Sequence, residues 1–160
     1  MCIRDSINPA VSTAFVVTGH LPAPRLPAYI LAQLGGGLVG SGAVYLLLGP
    51  EQLAPTMLAS GLTLGEAAAI EIGITMALMA SIYAVVALRD ESTPIVAFWV
   101  GGTVTVLAYA FGPLTGASMN PARTFGPNVL SGQGLLVFYT VMTTAGAVLA
   151  ALGWNRWSRR

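Results

Sequence analysis

Two copies of one tripeptide hold the polar side chains that stand out in this 160-residue chain. Asn-Pro-Ala occurs at Asn8 and again at Asn120, and the second copy continues directly into Arg123. An Asn amide donates hydrogen bonds through two N–H groups, and an Arg guanidinium adds fixed donors and a permanent positive charge. The second copy lies in some of the most apolar sequence of the chain, so its polar residues call for an explanation.

The rest of the composition gives little support to covalent or metal chemistry. Cys2 is the single cysteine and His20 the single histidine, which nearly excludes disulfide frameworks, Cys/His metal sites and Cys-His or Ser-His nucleophile pairs. The 7 basic and 6 acidic residues leave a formal net charge of +1, and no basic patch indicates nucleic acid. We therefore predict no enzyme activity, no cofactor and no metal site.

The composition indicates whether the chain folds in water or in a membrane, and this in turn predicts the helices that position the two motifs. Hydrophobic residues make up 55% of the chain and charged residues 8%, and the mean hydropathy is +0.75, whereas soluble domains carry about 25% charged residues. This composition indicates a membrane protein. A spanning helix needs about 20 apolar residues, and four stretches qualify: residues 28–48, 67–88, 93–111 and 134–155.

Two further segments, residues 8–18 and 120–130, open on Asn-Pro-Ala and are too short to span. About ten helical residues rise ~15 Å, half of a hydrocarbon core of ~30 Å. Asn is a good N-cap, and Pro is tolerated at the first helical position because its missing N–H would be unpaired there. Each motif therefore predicts the start of a half-helix. Non-helical backbone at membrane depth survives only where it is packed in protein or lines a wet cavity, so the motifs imply a polar path.

The positions of the arginines predict the orientation of the chain in the membrane. Arg25 precedes the first span, Arg89 follows the second, and Arg156, Arg159 and Arg160 follow the fourth, so all of them fall on one side. Residues 52–65 on the other side contain no basic residue. The positive-inside rule places the arginine side in the cytoplasm. With this topology the two half-helices enter from opposite faces, and their N-termini meet at the midplane.

The paired motifs and their context resemble the major intrinsic protein family, the aquaporins and aquaglyceroporins. The resemblance rests on N-P-A at Asn8, N-P-A-R from Asn120, which lies 112 positions later, A-Y-I-L-A-Q in the first span and A-I-E-I at the start of the second. It covers the chain from Ile7 to the C-terminus. The string G-P-L-T-G-A-S-M-N-P-A-R-T-F-G-P is particularly similar to the nodulin-26-like branch and its bacterial relatives. A single N-P-A is a weak signal, whereas two with three spans between them are specific.

The resemblance implies an all-α membrane protein, an aquaporin-like right-handed helical bundle. This chain would carry four spanning helices and two re-entrant half-helices of the usual six plus two. The implied function is a passive transmembrane channel for water and small neutral solutes, such as glycerol, urea or metalloid acids, that excludes protons and ions. The implied setting is a homotetramer of full-length subunits in the bilayer of the plasma or inner membrane, with the C-terminus in the cytoplasm and no nucleic-acid partner.

The resemblance also assigns site residues. The pore motifs comprise Asn8, Pro9, Ala10, Asn120, Pro121 and Ala122. The two Asn side chains would donate N–H groups to a passing molecule at the midplane, where both half-helix dipoles direct positive ends of about half an elementary charge. Arg123 would form part of a narrower external filter together with Ala108 and Ala117. A strict water channel usually has His at the position of Ala108, so we expect a wider opening here.

Structural alternatives exist for several of these residues. Asn8 and Asn120 would serve as helix caps alone, and Arg123 as an anchor at the membrane interface. Glu71 is an intramembrane carboxylate and by default a functional candidate, but the resemblance favours a support that accepts N–H groups of a half-helix loop. For Gln33 an interhelical hydrogen bond is favoured over a pore contact. The glycines of the first span indicate close helix contacts: Gly35, Gly36, Gly37, Gly40 and Gly42.

The beginning of the chain departs from the family pattern. The first motif normally follows two spanning helices, yet Asn8 is the eighth residue. Residues 1–6 place Arg4 and Asp5 where the family has small residues and often a His. We interpret them as a non-native scar in front of a partial channel domain at residues 7–160. The alternative function is that of a non-conducting, truncated membrane fragment with a structural or assembly role.

Overall fold

The computed structural model describes residues 6–87 and 93–158, and this part of the chain contains α-helices, short 3-10 turns and connecting segments but no β-strand. The helices are α1 (Pro9–Val17), α2 (Leu26–Leu48), α3 (Leu64–Ala87), α4 (Thr93–Thr115), α5 (Pro121–Ser131) and α6 (Leu136–Ser158). Four predictions fall wholly or partly outside the described residues: the scar at residues 1–6, of which only Ser6 is described, the second span's end at Leu88, and the cytoplasmic placement of Arg89 and of Arg159 with Arg160.

Helix length separates the elements into two classes. Four helices are long and apolar enough to cross a membrane, namely α2, α3, α4 and α6. In contrast, α1 has 9 residues and α5 has 11, so each rises through about half of a ~30 Å hydrocarbon core at 1.5 Å per residue. Four spanning helices and two short ones confirm the predicted fold class.

The helix ends differ from the expected ones where local chemistry decides them. A capping box starts α3 at Leu64, three residues before the expected start, because Thr63 Oγ1 accepts the N–H of Glu66 (3.2 Å) and Glu66 Oε2 accepts the N–H of Thr63 (2.9 Å). The helix α4 continues past Phe111 to Thr115 and ends before Gly116. Gly116 has a φ of +75°, which is incompatible with a right-handed helix. The connection between α4 and α5 is therefore shorter than a span that ends at residue 111 implied.

Close packing of backbone against backbone joins the long helices to the short ones. The helix α2 packs mainly against α5, while α6 packs against α3 and α1. A Cβ added to Gly37 would overlap the carbonyl oxygen of Ala122, and one added to Gly126 would overlap the carbonyl oxygen of Gly37. The absence of these two side chains therefore sets the distance between α2 and the half-helix that carries the second motif.

Of the five glycines of α2, only Gly37 makes the expected close contact within the described part of the chain. An added Cβ at Gly35, Gly36, Gly40 or Gly42 meets no atom within 4 Å in the described part of the chain. The helix α2 packs on α5 through only one side, and these four positions lie elsewhere on its surface. Helix composition indicated that close contacts exist, but the side on which they form depends on tertiary packing.

The apolar core lies between α1, α3 and α6. Phe15, Met79, Tyr83 and Ala147 are among its buried members. The outer surfaces of α2 and α4 instead expose large apolar side chains, for example Leu46, Leu47, Phe98 and Tyr109. Exposed apolar helices of this length suit a surrounding of hydrocarbon chains or further helices and not water.

Candidate functional site

Both Asn-Pro-Ala motifs form the same N-cap. The side-chain oxygen of Asn8 accepts the N–H groups of Ala10 (2.9 Å) and Val11 (3.4 Å). The side-chain oxygen of Asn120 accepts those of Ala122 (2.9 Å) and Arg123 (3.4 Å). Both Asn residues are extended while Pro occupies the first helical turn, as expected for a cap followed by a residue that lacks an N–H.

The two caps are also bonded to each other's motif. Asn8 Nδ2 donates to the carbonyl oxygen of Met119 (2.8 Å), and Asn120 Nδ2 donates to the carbonyl oxygen of Ile7 (3.2 Å). The first residues of α1 and α5 are thereby held together, with both helix N-termini at the junction. Each amide has two N–H groups and uses one of them in this exchange. Each motif therefore retains a second donor beside two positive helix ends.

The loop in front of the second motif has an unusual backbone. Ala117 and Met119 have φ values of +41° and +52°, in the left-handed region that costs a non-glycine residue roughly 1–2 kcal/mol. Glu71 on α3 holds this loop: its carboxylate accepts the N–H groups of Ser118 (2.9 Å) and Met119 (3.3 Å). These bonds satisfy backbone donors that the loop cannot pair within itself, and they offset the strain.

Two hydroxyl groups that the sequence analysis did not single out complete the support. Thr115 Oγ1 donates to Glu71 (2.7 Å) and accepts the N–H of Ala117 (3.2 Å). Tyr139 on α6 donates its hydroxyl to the carbonyl oxygen of Thr115 (2.7 Å). Glu71, Thr115 and Tyr139 have no exposed surface, so three long helices hold the loop from within the protein. In the sequence these two residues are recognisable only as hydroxyl-bearing side chains within apolar stretches.

Arg123 lies in the first turn of α5, beside the loop before the second motif. Its Nη1 donates to the carbonyl oxygen of Gly116 (2.8 Å) and to Oγ1 of Thr56 (3.1 Å), which belongs to the segment between α2 and α3. The residue is exposed. Among the described residues both of its side-chain hydrogen bonds use Nη1, so the remaining donors of the guanidinium are available to a solute.

The two small residues assigned to the filter occupy different environments. Ala117 is buried in the loop that also contributes Gly116, next to the contact with Arg123. Ala108 is half-buried on α4 and packs against the core cluster to which Ala117 belongs. The structure thus places the Arg123 side chain against the loop that contains Ala117. It records no hydrogen bond between Ala108 and Arg123 in the described part of the chain, and the role of Ala108 stays a prediction.

Gln33 joins α2 to the start of α1. Its Nε2 donates to the carbonyl oxygen of Ser6 (2.6 Å) and to Oγ of Ser12 (2.9 Å). Ser6 in turn donates to the carbonyl oxygen of Asn8 (3.2 Å). The Gln33 amide thus contacts the backbone in front of the first motif as Glu71 contacts the backbone in front of the second.

The described residues contain no group of three or more His, Cys, Asp or Glu side chains that would hold a metal ion. The polar atoms at the junction are amide, hydroxyl, carboxylate and guanidinium groups, most of which are already paired with backbone. This arrangement suits the orientation of a small polar molecule by hydrogen bonds.

Comparison with known proteins gives one consistent family. The model of the family described as "Major intrinsic protein" matches residues 5–154. The chain is 37% identical to aquaporin NIP1-1 of Zea mays over 92% of this chain and 53% of the relative, and 36% identical to aquaporin-6 of Rattus norvegicus over 92% and 55%. It is 38% identical to human aquaporin-4 over 90% and 46%. The chain thus spans about half the length of the curated relatives it matches.

A solved structure shares the fold. The X-ray structure of the aquaglyceroporin from Plasmodium falciparum superposes with a TM-score of 0.84 at 24% identity, over 94% of this chain and 71% of that chain. The aquaporin relatives account for the apolar helices as parts of an integral membrane protein. From the family match, the relatives and the shared fold together, the chain belongs to the major intrinsic protein family, whose members are channels and not enzymes.

Proposed function

We propose that the chain provides the conducting part of a passive channel for water and small neutral solutes. The observation that carries the proposal is the reciprocal bonding of Asn8 to Met119 and of Asn120 to Ile7, which sets two helix N-termini against each other. Each Asn keeps one N–H for a passing oxygen atom. A molecule with an accepting lone pair exchanges its hydrogen bonds with water for bonds to these donors, at little net cost.

Exclusion of cations follows from the same geometry. Each helix N-terminus is equivalent to about half a positive charge, so the junction of α1 and α5 carries about one positive charge at a point of low dielectric constant. Arg123 adds a permanent positive charge at the outer side. Protons and other cations meet an electrostatic barrier there, whereas a neutral solute does not.

The size of the accepted solute depends on the filter residues. Ala108 and Ala117 have the smallest side chains that retain a Cβ, and the carbonyl oxygen of Gly116 is engaged by Arg123. We propose that this filter admits glycerol, urea or an undissociated metalloid acid as well as water. The contacts of Glu71 and Gln33 with the backbone before each motif support a role for both as structural holders of the pore.

The proposal also covers the orientation, the membrane and the oligomeric state of the channel. The positive-inside rule supports a cytoplasmic C-terminus, because Arg25 and Arg156 fall on the same side. We propose a plasma or inner membrane location and a homotetramer with one pore in each subunit, as the family resemblance implies. The exposed apolar surfaces of α2 and α4 are compatible with contacts to lipid and to further helices.

Stopped-flow light scattering of proteoliposomes tests the proposal. Vesicles that contain the protein as its gene encodes it should shrink faster than protein-free vesicles after an osmotic step, and they should re-swell in glycerol or urea. Vesicles that contain Asn155→Ala, which alters an Asn bonded to Val17 and remote from the two motifs, should behave like the wild type. Shrinkage no faster than in empty vesicles would overturn the proposal and favour the non-conducting, structural role.

A further inference from the structure

One residue of the segment between α2 and α3 differs from all the others in its burial. Of residues 49–63, all of which the structure describes, only Thr56 is buried. It lies against the loop before the second motif, where Gly116 leaves room for its side chain. A single buried residue in an otherwise accessible connection indicates a fixed contact, because such connections are normally mobile.

Asn128 on α5 holds Thr56 by both of its backbone groups. Asn128 Oδ1 accepts the N–H of Thr56 (2.8 Å), and Asn128 Nδ2 donates to the carbonyl oxygen of Thr56 (3.1 Å). Asn128 is itself 4% exposed, and the glycine at position 134 leaves the space that its amide and the Thr56 carbonyl occupy. Bonds to both the N–H and the C=O of one residue fix its orientation as well as its position, because the amide offers an acceptor and a donor side by side as a neighbouring strand does.

The hydroxyl of Thr56 is the start of a directed chain of hydrogen bonds. Ser118 donates its single hydroxyl proton to the carbonyl oxygen of Asn120 (3.2 Å). In the contact of Ser118 with Thr124 (2.6 Å), Thr124 is therefore the donor, and in the contact of Thr124 with Thr56 (3.0 Å), Thr56 is the donor. Thr56 then has a free lone pair for Arg123 Nη1 (3.1 Å). Every hydroxyl donates once and accepts once, and such chains strengthen their members.

We propose that Asn128 is a positioning residue that fixes the guanidinium of Arg123 through Thr56 and thereby sets the selectivity of the filter. The inference rests on the proposed channel function. Without Thr56 in place, Arg123 keeps the carbonyl oxygen of Gly116 as its recorded partner, and a single bond through Nη1 lets the guanidinium swing. A mobile guanidinium widens the opening, which favours solutes larger than water.

The test compares the ratio of glycerol to water permeability in proteoliposomes. Asn128→Ala and Thr56→Val should each raise this ratio about fivefold, the factor that corresponds to one net hydrogen bond, while Thr56→Ser, which keeps the hydroxyl, should retain the wild-type ratio. Asn155→Ala is the control for the loss of a hydrogen-bonded, half-buried Asn amide remote from the filter. The Thr56→Val variant keeps both hydrogen bonds between Asn128 and the Thr56 backbone. It therefore tests the link from Thr56 to Arg123 if Asn128→Ala does not fold.

A double-mutant comparison separates positioning from general distortion. In protein that already carries Arg123→Val, the further change Asn128→Ala should not alter the ratio of glycerol to water permeability. An equal rise in both backgrounds would overturn the inference, because Asn128 would then act without Arg123. An unchanged ratio in Asn128→Ala would also overturn it.

The inference and the channel function fail by different observations. If wild-type vesicles conduct nothing, the channel function is refuted, and NMR of the protein in nanodiscs then decides the inference. Asn128→Ala should make the Thr56 amide exchange rapidly with solvent and narrow the side-chain signals of Arg123 through added motion. Slow exchange at Thr56 and unchanged Arg123 signals in that variant would contradict the positioning role.

Discussion

Asn8 Nδ2 and the carbonyl oxygen of Met119 lie 2.8 Å apart although 111 positions separate the two residues in the chain. The matching bond from Asn120 to Ile7 is 3.2 Å long. Each motif therefore caps its own helix with the side-chain oxygen and binds the opposite motif with the side-chain nitrogen. Asn performs both tasks because its short side chain carries the accepting oxygen and the donating nitrogen on separate atoms, which point in different directions.

The amide nitrogen of Asn8 should matter for charge exclusion more than for capping. Asn8→Asp keeps acceptors for the N–H groups of Ala10 and Val11, so α1 should form. It loses the donor to Met119 and places a negative charge between two positive helix ends, which lowers the barrier to cations. We expect a cation leak, measured with a pH-sensitive dye in proteoliposomes. Asn120→Asp should leak likewise, and Asn155→Asp should not. Unchanged cation flux in both motif variants would contradict this role.

The carboxylate of Glu71 should be indispensable to the loop before the second motif. Glu71→Gln replaces an accepting oxygen by an NH₂ group that faces backbone N–H donors, so at least one buried donor loses its partner. We expect the free energy of unfolding to fall by about 1–3 kcal/mol, measured by thermal or denaturant unfolding in detergent. Glu66→Gln is the matched control, because Gln also completes a capping box. An equal loss of stability in both variants would contradict the prediction.

The contact between α2 and α5 should tolerate no added methyl group. Gly37→Ala pushes a Cβ into the carbonyl of Ala122, and the backbone on both sides has no flexible group that can give way. We expect a loss of about 1–3 kcal/mol, the usual cost of overpacking, together with a loss of water permeability. Gly40→Ala on the same helix meets open space and should be neutral or stabilising by up to about 1 kcal/mol. Unfolding curves of the two variants decide the point, and identical behaviour would refute it.

The width of the filter should respond to Ala108. In Ala108→His the larger side chain refills the opening, so glycerol and urea permeability should fall more than water permeability. Solute and water fluxes measured in the same vesicle preparation give the comparison. Equal losses for all solutes would show that Ala108 lies away from the solute path.

The fold was largely accessible from sequence because its determinants are local. An apolar stretch of about 20 residues with at most one charged residue predicted each spanning helix, and Asn followed by Pro predicted the start of each half-helix. Glu71 was conspicuous as a carboxylate inside an apolar span. These features require only the residue type and its immediate neighbours.

The parts of the site that escaped prediction depend on distant partners. Thr56 and Asn128 are separated by 72 positions and are ordinary residues for a loop and a helix end. Thr115 and Tyr139 are likewise unremarkable until the fold brings them to Glu71. For the same reason the sequence did not indicate which glycine of α2 would meet α5, because tertiary packing and not the composition of α2 decides the contacting face.

The most direct test of the central claim is the water permeability and the proton conductance of the same wild-type proteoliposomes. If Asn8 and Asn120 form one junction that passes neutral molecules, osmotic water flow should rise well above that of empty vesicles while proton conductance stays at their level. A proton conductance that rises together with the water flow, or no rise in water flow, would contradict the account.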